Sequence, residues 1–196
     1  MRSEITRIHR LNGVVSVYVT HDQIEAMTMG TKIAVINNGE ILQTDTPQNI
    51  YNNPIDIFTA QFIGTPQINI FPKSKLQIDS HSLNSNHYIT LSDGQRVYAE
   101  NENIEQYVNQ TISYGIRPEN LFLTKNEKSY EIKGRISNIE YLGYEHIIFV
   151  ETANSTIRLR TQEANNFLIG NNIELFYDPK HIIIFNKDDK NIHFNK

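Results

Sequence analysis

The sequence predicts an α+β chain in two parts: a short segment of mixed helix and strand, then an all-β domain. Three observations predict it. Apolar runs in the first 64 residues alternate with helix start and stop signals. The texture changes after Gly64-Thr65-Pro66. From Ile68 onward, short apolar-alternating segments are separated by polar turns, the pattern of a small barrel or sandwich. The boundary is expected near Pro66 to Pro72, giving domains of 1–65 and 66–196.

Each element has its own reason. Ile5, Ile8 and Leu11 fall on a helical spacing. Val14 to Val19 is β-branched and aromatic apart from Ser16, so it reads as a strand buried on both faces. Asp22 caps a helix with Glu25 three residues on, Ile24, Met27 and Met29 as its apolar positions, and Gly30 as its stop. Ile33 to Ile36 and Ile41-Leu42 flank Asn37-Asn38-Gly39-Glu40, a hairpin in which Asn-Gly suits a type I′ turn. Thr46-Pro47 opens a further helix, and residues 56–62 form another helical turn or two, closed by Gly64. Tyr51, Phe58, Phe62 and Phe71 are spaced as core residues.

In the second part, Tyr88 to Leu91 and Val97 to Ala99 flank Ser92-Asp93-Gly94-Gln95, another hairpin signal. Ile147 to Val150 and Thr156 to Arg160 flank Ala153-Asn154-Ser155. Ile173 to Phe176 and Ile182 to Phe185 are separated by Asp178-Pro179. Leu142-Gly143, between Tyr141 and Tyr144, marks a bulge or turn.

Composition limits the function classes. The 196 residues carry a net charge of −4 and no Lys/Arg cluster, which argues against a nucleic-acid partner. Cysteine is absent, so disulfides and thiolate metal sites are excluded. Seven histidines occur, but none pairs at i, i+4 or sits in a carboxylate cluster, so no metal site is expected. No apolar stretch approaches the roughly 20 residues that span a bilayer. The opening MRSEITRIHR lacks the apolar core of a signal peptide. The expected location is cytoplasmic.

The most informative stretch is "VYVTHDQIEAMTMG", Val17 to Gly30. With "IAVINNGEILQTDTPQNIYNNP" and "FTAQFIGTP" it resembles the end of the nucleotide-binding domain of ABC transporter ATPases, most closely the carbohydrate-importer type. "YGIRPENL", Tyr114 to Leu121, and "IEYLGYEHIIFV", Ile139 to Val150, resemble the accessory TOBE domain of that group. The resemblance implies the C-terminal remnant of a P-loop nucleotide-binding domain over 1–65. An OB-like TOBE barrel is implied over 66–196. His21 would be the switch histidine, which contacts the γ-phosphate of ATP when two nucleotide domains close. An imidazole there donates to a phosphate oxygen and helps hold the attacking water in line. The family implies ATP and Mg²⁺, a second copy of the ATPase, two membrane permease subunits and a position on the inner face of the membrane.

Much of that site is absent from the sequence. There is no G-x-x-x-x-G-K-[ST] phosphate loop, no "LSGGQ", and no apolar strand ending in Asp-Glu. The opening resembles the family from just after its D-loop, so Met1 is expected to be an internal methionine of a longer protein. This chain alone is expected neither to bind ATP tightly nor to hydrolyse it, and its first 64 residues are expected to be poorly stable alone.

Other readings compete with these. By itself, Thr-His-Asp reads as a histidine satisfied by local backbone, and a His21-Asp22 general base lacks a nucleophile nearby in sequence. Arg117 and Glu119 are candidate contacts for a ligand or partner, although such a pair more often holds a turn. The alternative function is a free-standing β module that binds a small ligand or a regulatory protein.

Overall fold

The computed structural model describes residues 4, 7, 15–79, 87–163 and 167–194. The chain divides into two compact units, residues 1–64 and 65–196. It is mostly β, and every strand pairing among the described residues is antiparallel.

In the first unit, helix α1 (Gln23–Met29) begins where Asp22 accepts a hydrogen bond from the Glu25 amide at 3.1 Å. That bond satisfies one of the donors a helix start leaves open. Strands β1 (Ile33–Asn37) and β2 (Glu40–Asp45) form the expected hairpin, with Asn38 at φ 49° and Gly39 at φ 82°. Helices α2 (Pro47–Asn52) and α3 (Ile57–Phe62) start at Thr46 and Asp56, whose side chains accept from the amides of Asn49 and Thr59. The core is small: Ile33, Val35, Ile50 and Ile63, with Ala26, Met27 and Tyr51 packed against it. The Gln43 amide bonds both the Asn53 carbonyl and the Ile55 amide, tying β2 to the turn after α2.

Two expectations fail here. Residues 15–19 are not a buried strand: Val15, Val17 and Val19 are 96%, 89% and 91% exposed, and no described strand pairs with them. A strand without a neighbour has no ladder to satisfy its backbone, whatever its propensity. Phe58 and Phe62 are partly exposed rather than core, and their rings stack on each other 5.8 Å apart. Gly30 ends α1 as expected, with φ −75°; a Cβ there would lie 3.0 Å from the Ala26 carbonyl oxygen. The helix expected around Ile5 to Leu11 lies outside the described residues.

The second unit contains strands β3 (Asn69–Lys75), β4 (Gln77–Ile78), β5 (His87–Thr90), β6 (Arg96–Ala99) and β7 (Thr111–Ile116). After these come β8 (Leu121–Phe122), β9 (Tyr130–Tyr141), β10 (His146–Glu151), β11 (Thr156–Thr161), β12 (Asn172–Tyr177) and β13 (Ile183–Phe185). They form sheets in the orders β11-β10-β9-β12-β8, β13-β7-β3 and β4-β5-β6. β8 and β11, opposite edges of the five-stranded sheet, come back beside each other, and β3 lies against β11. The result is a nearly closed barrel around one apolar core that includes Phe71, Tyr114, Ile132, Ile148, Leu175 and Tyr177. Closure hides the edge groups that an open sheet would leave unpaired.

Strand β9 changes partners along its length. Residues 130–135 pair with β12 and residues 135–141 with β10. Gly134 sits at the crossing: a Cβ there would meet the Val150 side chain and lie 2.6 Å from the Glu151 carbonyl oxygen. The β9–β10 pairing also carries a register shift at Phe149/Val150, and Gly143 makes the turn at the hairpin tip.

Candidate functional site

His21 lies at the N-terminal side of α1, and its side chain is exposed. Its surroundings are built locally. Thr20 Oγ1 accepts from the Asp22 amide at 2.9 Å, and the Glu25 carboxylate accepts from Thr20 Oγ1 at 2.9 Å and from the Tyr18 hydroxyl at 3.2 Å. Asp22 is engaged as the helix cap. The turn is therefore fixed by its neighbours, while the imidazole is left pointing to solvent, able to donate to an incoming oxyanion. A general-base reading requires a nucleophile within hydrogen-bond reach; the bonded neighbours of this turn are threonine, tyrosine and carboxylates already paired with one another.

Arg117 and Glu119 belong to the second unit. Arg117 ends the approach of β7 to a 3-10 turn, Pro118–Asn120, which the Asn120 amide closes on the Arg117 carbonyl at 3.0 Å. The Arg117 side chain is buried at 3% exposure, whereas Glu119 is exposed.

The structure adds features that local patterns did not single out. Glu145, 5% exposed, accepts from Arg160 Nε at 2.7 Å, and this bond holds its carboxyl below the ordinary glutamate range. The His146 ring lies 5.2 Å from Tyr141 and 6.0 Å from Phe167, so it joins the β9–β10 tip to the loop before β12. Around that junction Tyr141, Leu142, Tyr144, Leu168 and Ile169 are all about half exposed or more. Such a patch marks an interaction surface more often than a solvent face. Its sequence signal was the run of aromatics about Leu142-Gly143; its second half, Leu168-Ile169, is brought in only by folding.

A separate open cleft of about 870 Å³ is lined by Asp93, Lys133, Arg135, Glu151 and Glu174, among others. Lys133 is held there between Glu131 and Glu174 at 2.8 and 3.2 Å.

No group of three or more His, Asp or Glu that would hold a metal occurs among the described residues. The sequence contains no G-x-x-x-x-G-K-[ST] phosphate loop. Among the described residues, no helix is long and apolar enough to cross a membrane.

Comparison with known proteins extends this picture. The family profile of the TOBE domain matches residues 114–185. The osmoprotective compounds uptake ATP-binding protein GgtA of Synechocystis sp. is 31% identical over 95% of this chain and 51% of its own length. The oligosaccharides import ATP-binding protein MsmX of Bacillus subtilis is 33% identical over 91% and 48%. The trehalose/maltose import ATP-binding protein MalK of Thermococcus litoralis is 31% identical over 95% and 50%. The molybdate-bound cytoplasmic protein ModG superposes with a TM-score of 0.46 and 12% identity, over 59% of this chain and 94% of that one. This chain spans about half the length of the relatives it matches. With a TOBE domain at 114–185 and a match running along nearly all of its sequence, the chain belongs to the family of ABC-importer ATP-binding subunits, of which it corresponds to the C-terminal region.

Proposed function

We propose that this chain serves in an ABC importer that takes up carbohydrates or related osmoprotective solutes at the expense of ATP. The first unit is read as the end of a P-loop nucleotide-binding domain, with His21 as its γ-phosphate contact, and the second as the regulatory β domain. Mg²⁺ and the rest of the ATP site belong to the portion of the relatives that this chain does not cover, and the chain alone does not hydrolyse ATP. When assembled it sits on the cytoplasmic face of a membrane, beside permease subunits. One observation carries the reading: sequence similarity to importer ATP-binding subunits runs through both units, over 95% of the chain. An exposed imidazole on a turn fixed by Thr20, Asp22 and Glu25 suits a contact completed by a ligand from outside.

A chimera tests it. The preceding half of MsmX, joined ahead of this chain, is expected to hydrolyse ATP. In it, His21→Ala lowers kcat by about a hundredfold or more, the scale for loss of one preorganised donor to a reacting group. An active chimera indifferent to His21→Ala would remove the assignment of that residue.

The exposed patch of the second unit favours a second reading alongside the first, in which the β domain also acts as a binding module. We propose a second copy as its occupant. All five side chains are uncharged and about half exposed or more, and a specific interface that covers them must reach about 1,200 Å² in total. An uncharged patch is also self-complementary across a two-fold axis. Sedimentation of the full chain at micromolar concentration is expected to show a dimer that Tyr144→Glu dissociates. A strict monomer would leave the patch to a different protein and defeat this assignment.

A further inference from the structure

The tip of the β1–β2 hairpin has a chemical property that its role as a turn does not use. Asn38 and Gly39 occupy the two-residue loop, with Asn37 paired to Glu40 on either side. Both are exposed. Apart from the two flanking residues, no heavy atom lies within 4 Å of where a Gly39 Cβ would be, so that side of the glycine is uncrowded. No described residue hydrogen-bonds the Asn38 carboxamide.

We infer that Asn38-Gly39 is a site of spontaneous covalent modification, converting Asn38 to aspartate and isoaspartate. The Gly39 backbone nitrogen attacks the Asn38 side-chain carbonyl carbon. A new C–N bond closes a five-membered imide, the carbon–amide bond breaks, and the displaced nitrogen leaves as ammonia with the proton from Gly39. Water then opens the imide at either carbonyl, and no oxidant or cofactor takes part. Glycine matters because a β-carbon on residue 39 would crowd the attack. The free carboxamide matters because a hydrogen-bonded one is held away from the backbone.

The chain contains its own comparison. Asn154 is followed by the small residue Ser155, but its Oδ1 accepts from the Ser92 amide at 2.6 Å and is held. Asn126 likewise accepts from the Lys128 amide at 3.0 Å. The consequences at residue 38 are local and definite. Aspartate adds a negative charge two residues from Glu40. Isoaspartate inserts a backbone carbon into a loop whose register depends on having two residues, and so loosens the hairpin that supplies Ile33 and Val35 to the small core of the first unit.

The test is ageing of the full chain in mildly alkaline buffer at physiological temperature, followed by tryptic mapping of the peptide that begins at Ile33. Loss of the amide at Asn38, with both acid isomers appearing, is expected while Asn154 keeps its amide. Asn38→Gly preserves a turn compatible with positive φ and abolishes the change. A synthetic peptide of residues 33–45 serves as the reference. Full retention of Asn38 in the folded chain while that peptide converts would overturn the inference, because the turn would then protect the site. Equal conversion at Asn154 would overturn it as well, because the free carboxamide would not be the determinant.

Discussion

The side-chain amide of Asn69 pairs with the backbone of Arg158 as another strand residue would: its Nδ2 donates to the Arg158 carbonyl at 2.8 Å, and its Oδ1 accepts from the Arg158 amide at 2.7 Å. Asn69 is 1% exposed and opens β3; Arg158 lies in the middle of β11, the edge strand of the five-stranded sheet. One side chain thus satisfies an edge and joins two sheets.

Asn69→Ala removes both bonds and leaves a donor and an acceptor of β11 without them. Burying such groups unpaired costs about 1–3 kcal/mol each, so the second unit is expected to lose about 2–6 kcal/mol. Denaturant unfolding checks it: the midpoint falls while the slope stays constant.

Gly134→Ala places a methyl group against the Val150 side chain and the Glu151 carbonyl oxygen. The backbone on the β10 side cannot rotate away as a side chain end can. A loss of about 1–3 kcal/mol or more is expected. A melting temperature equal to that of the parent would show that β9 and β10 separate there at little cost.

Glu145 and Arg160 predict a pH dependence. The folded carboxyl titrates below its ordinary value of 4.5 because Arg160 bonds the charged form. The pair's stabilisation is therefore complete above pH 4.5 and is lost as pH falls through the lower folded value. Glu145→Gln is expected to be less stable than the parent at neutral pH, and the gap should narrow on acidification. A gap that widens in acid would contradict this pairing.

Limited proteolysis should cut the first unit before the second. The core of residues 1–64 rests on Ile33, Val35, Ile50 and Ile63, while residues 15–19 lie exposed. The second unit encloses a far larger cluster, and resistance to proteases follows the free energy of local opening. Equal resistance of the two units would defeat the expectation.

Local signals in the sequence proved reliable where the bonds they encode are local. Asp22, Thr46 and Asp56 cap helices by bonding an amide three residues on, and Asn38-Gly39 turns the chain within two residues. The strands at Tyr88, Val97, Ile147, Thr156, Ile173 and Ile182 also fall where alternation and turn residues place them, whereas β7 and most of β9 carry no such signal. Val15 to Val19 misled because propensity describes a residue's fit to a sheet and says nothing about whether a neighbouring strand is there. Phe58 and Phe62 misled for a similar reason: helical spacing puts two aromatics on one face without deciding what that face meets.

By itself, then, the sequence determined the caps, the hairpins, the all-β character of the second part and the family to which the motifs belong, since each is written in contiguous residues. Only the tertiary structure decided that Asn69 closes the barrel on Arg158, that Gly134 lies under Glu151, and that Tyr141, His146 and Phe167 meet at one apolar end. The physical reason is distance along the chain. Asn69 and Arg158 are 89 residues apart, and a contact of that kind forms only when the packing of every strand between them has brought the two backbones together.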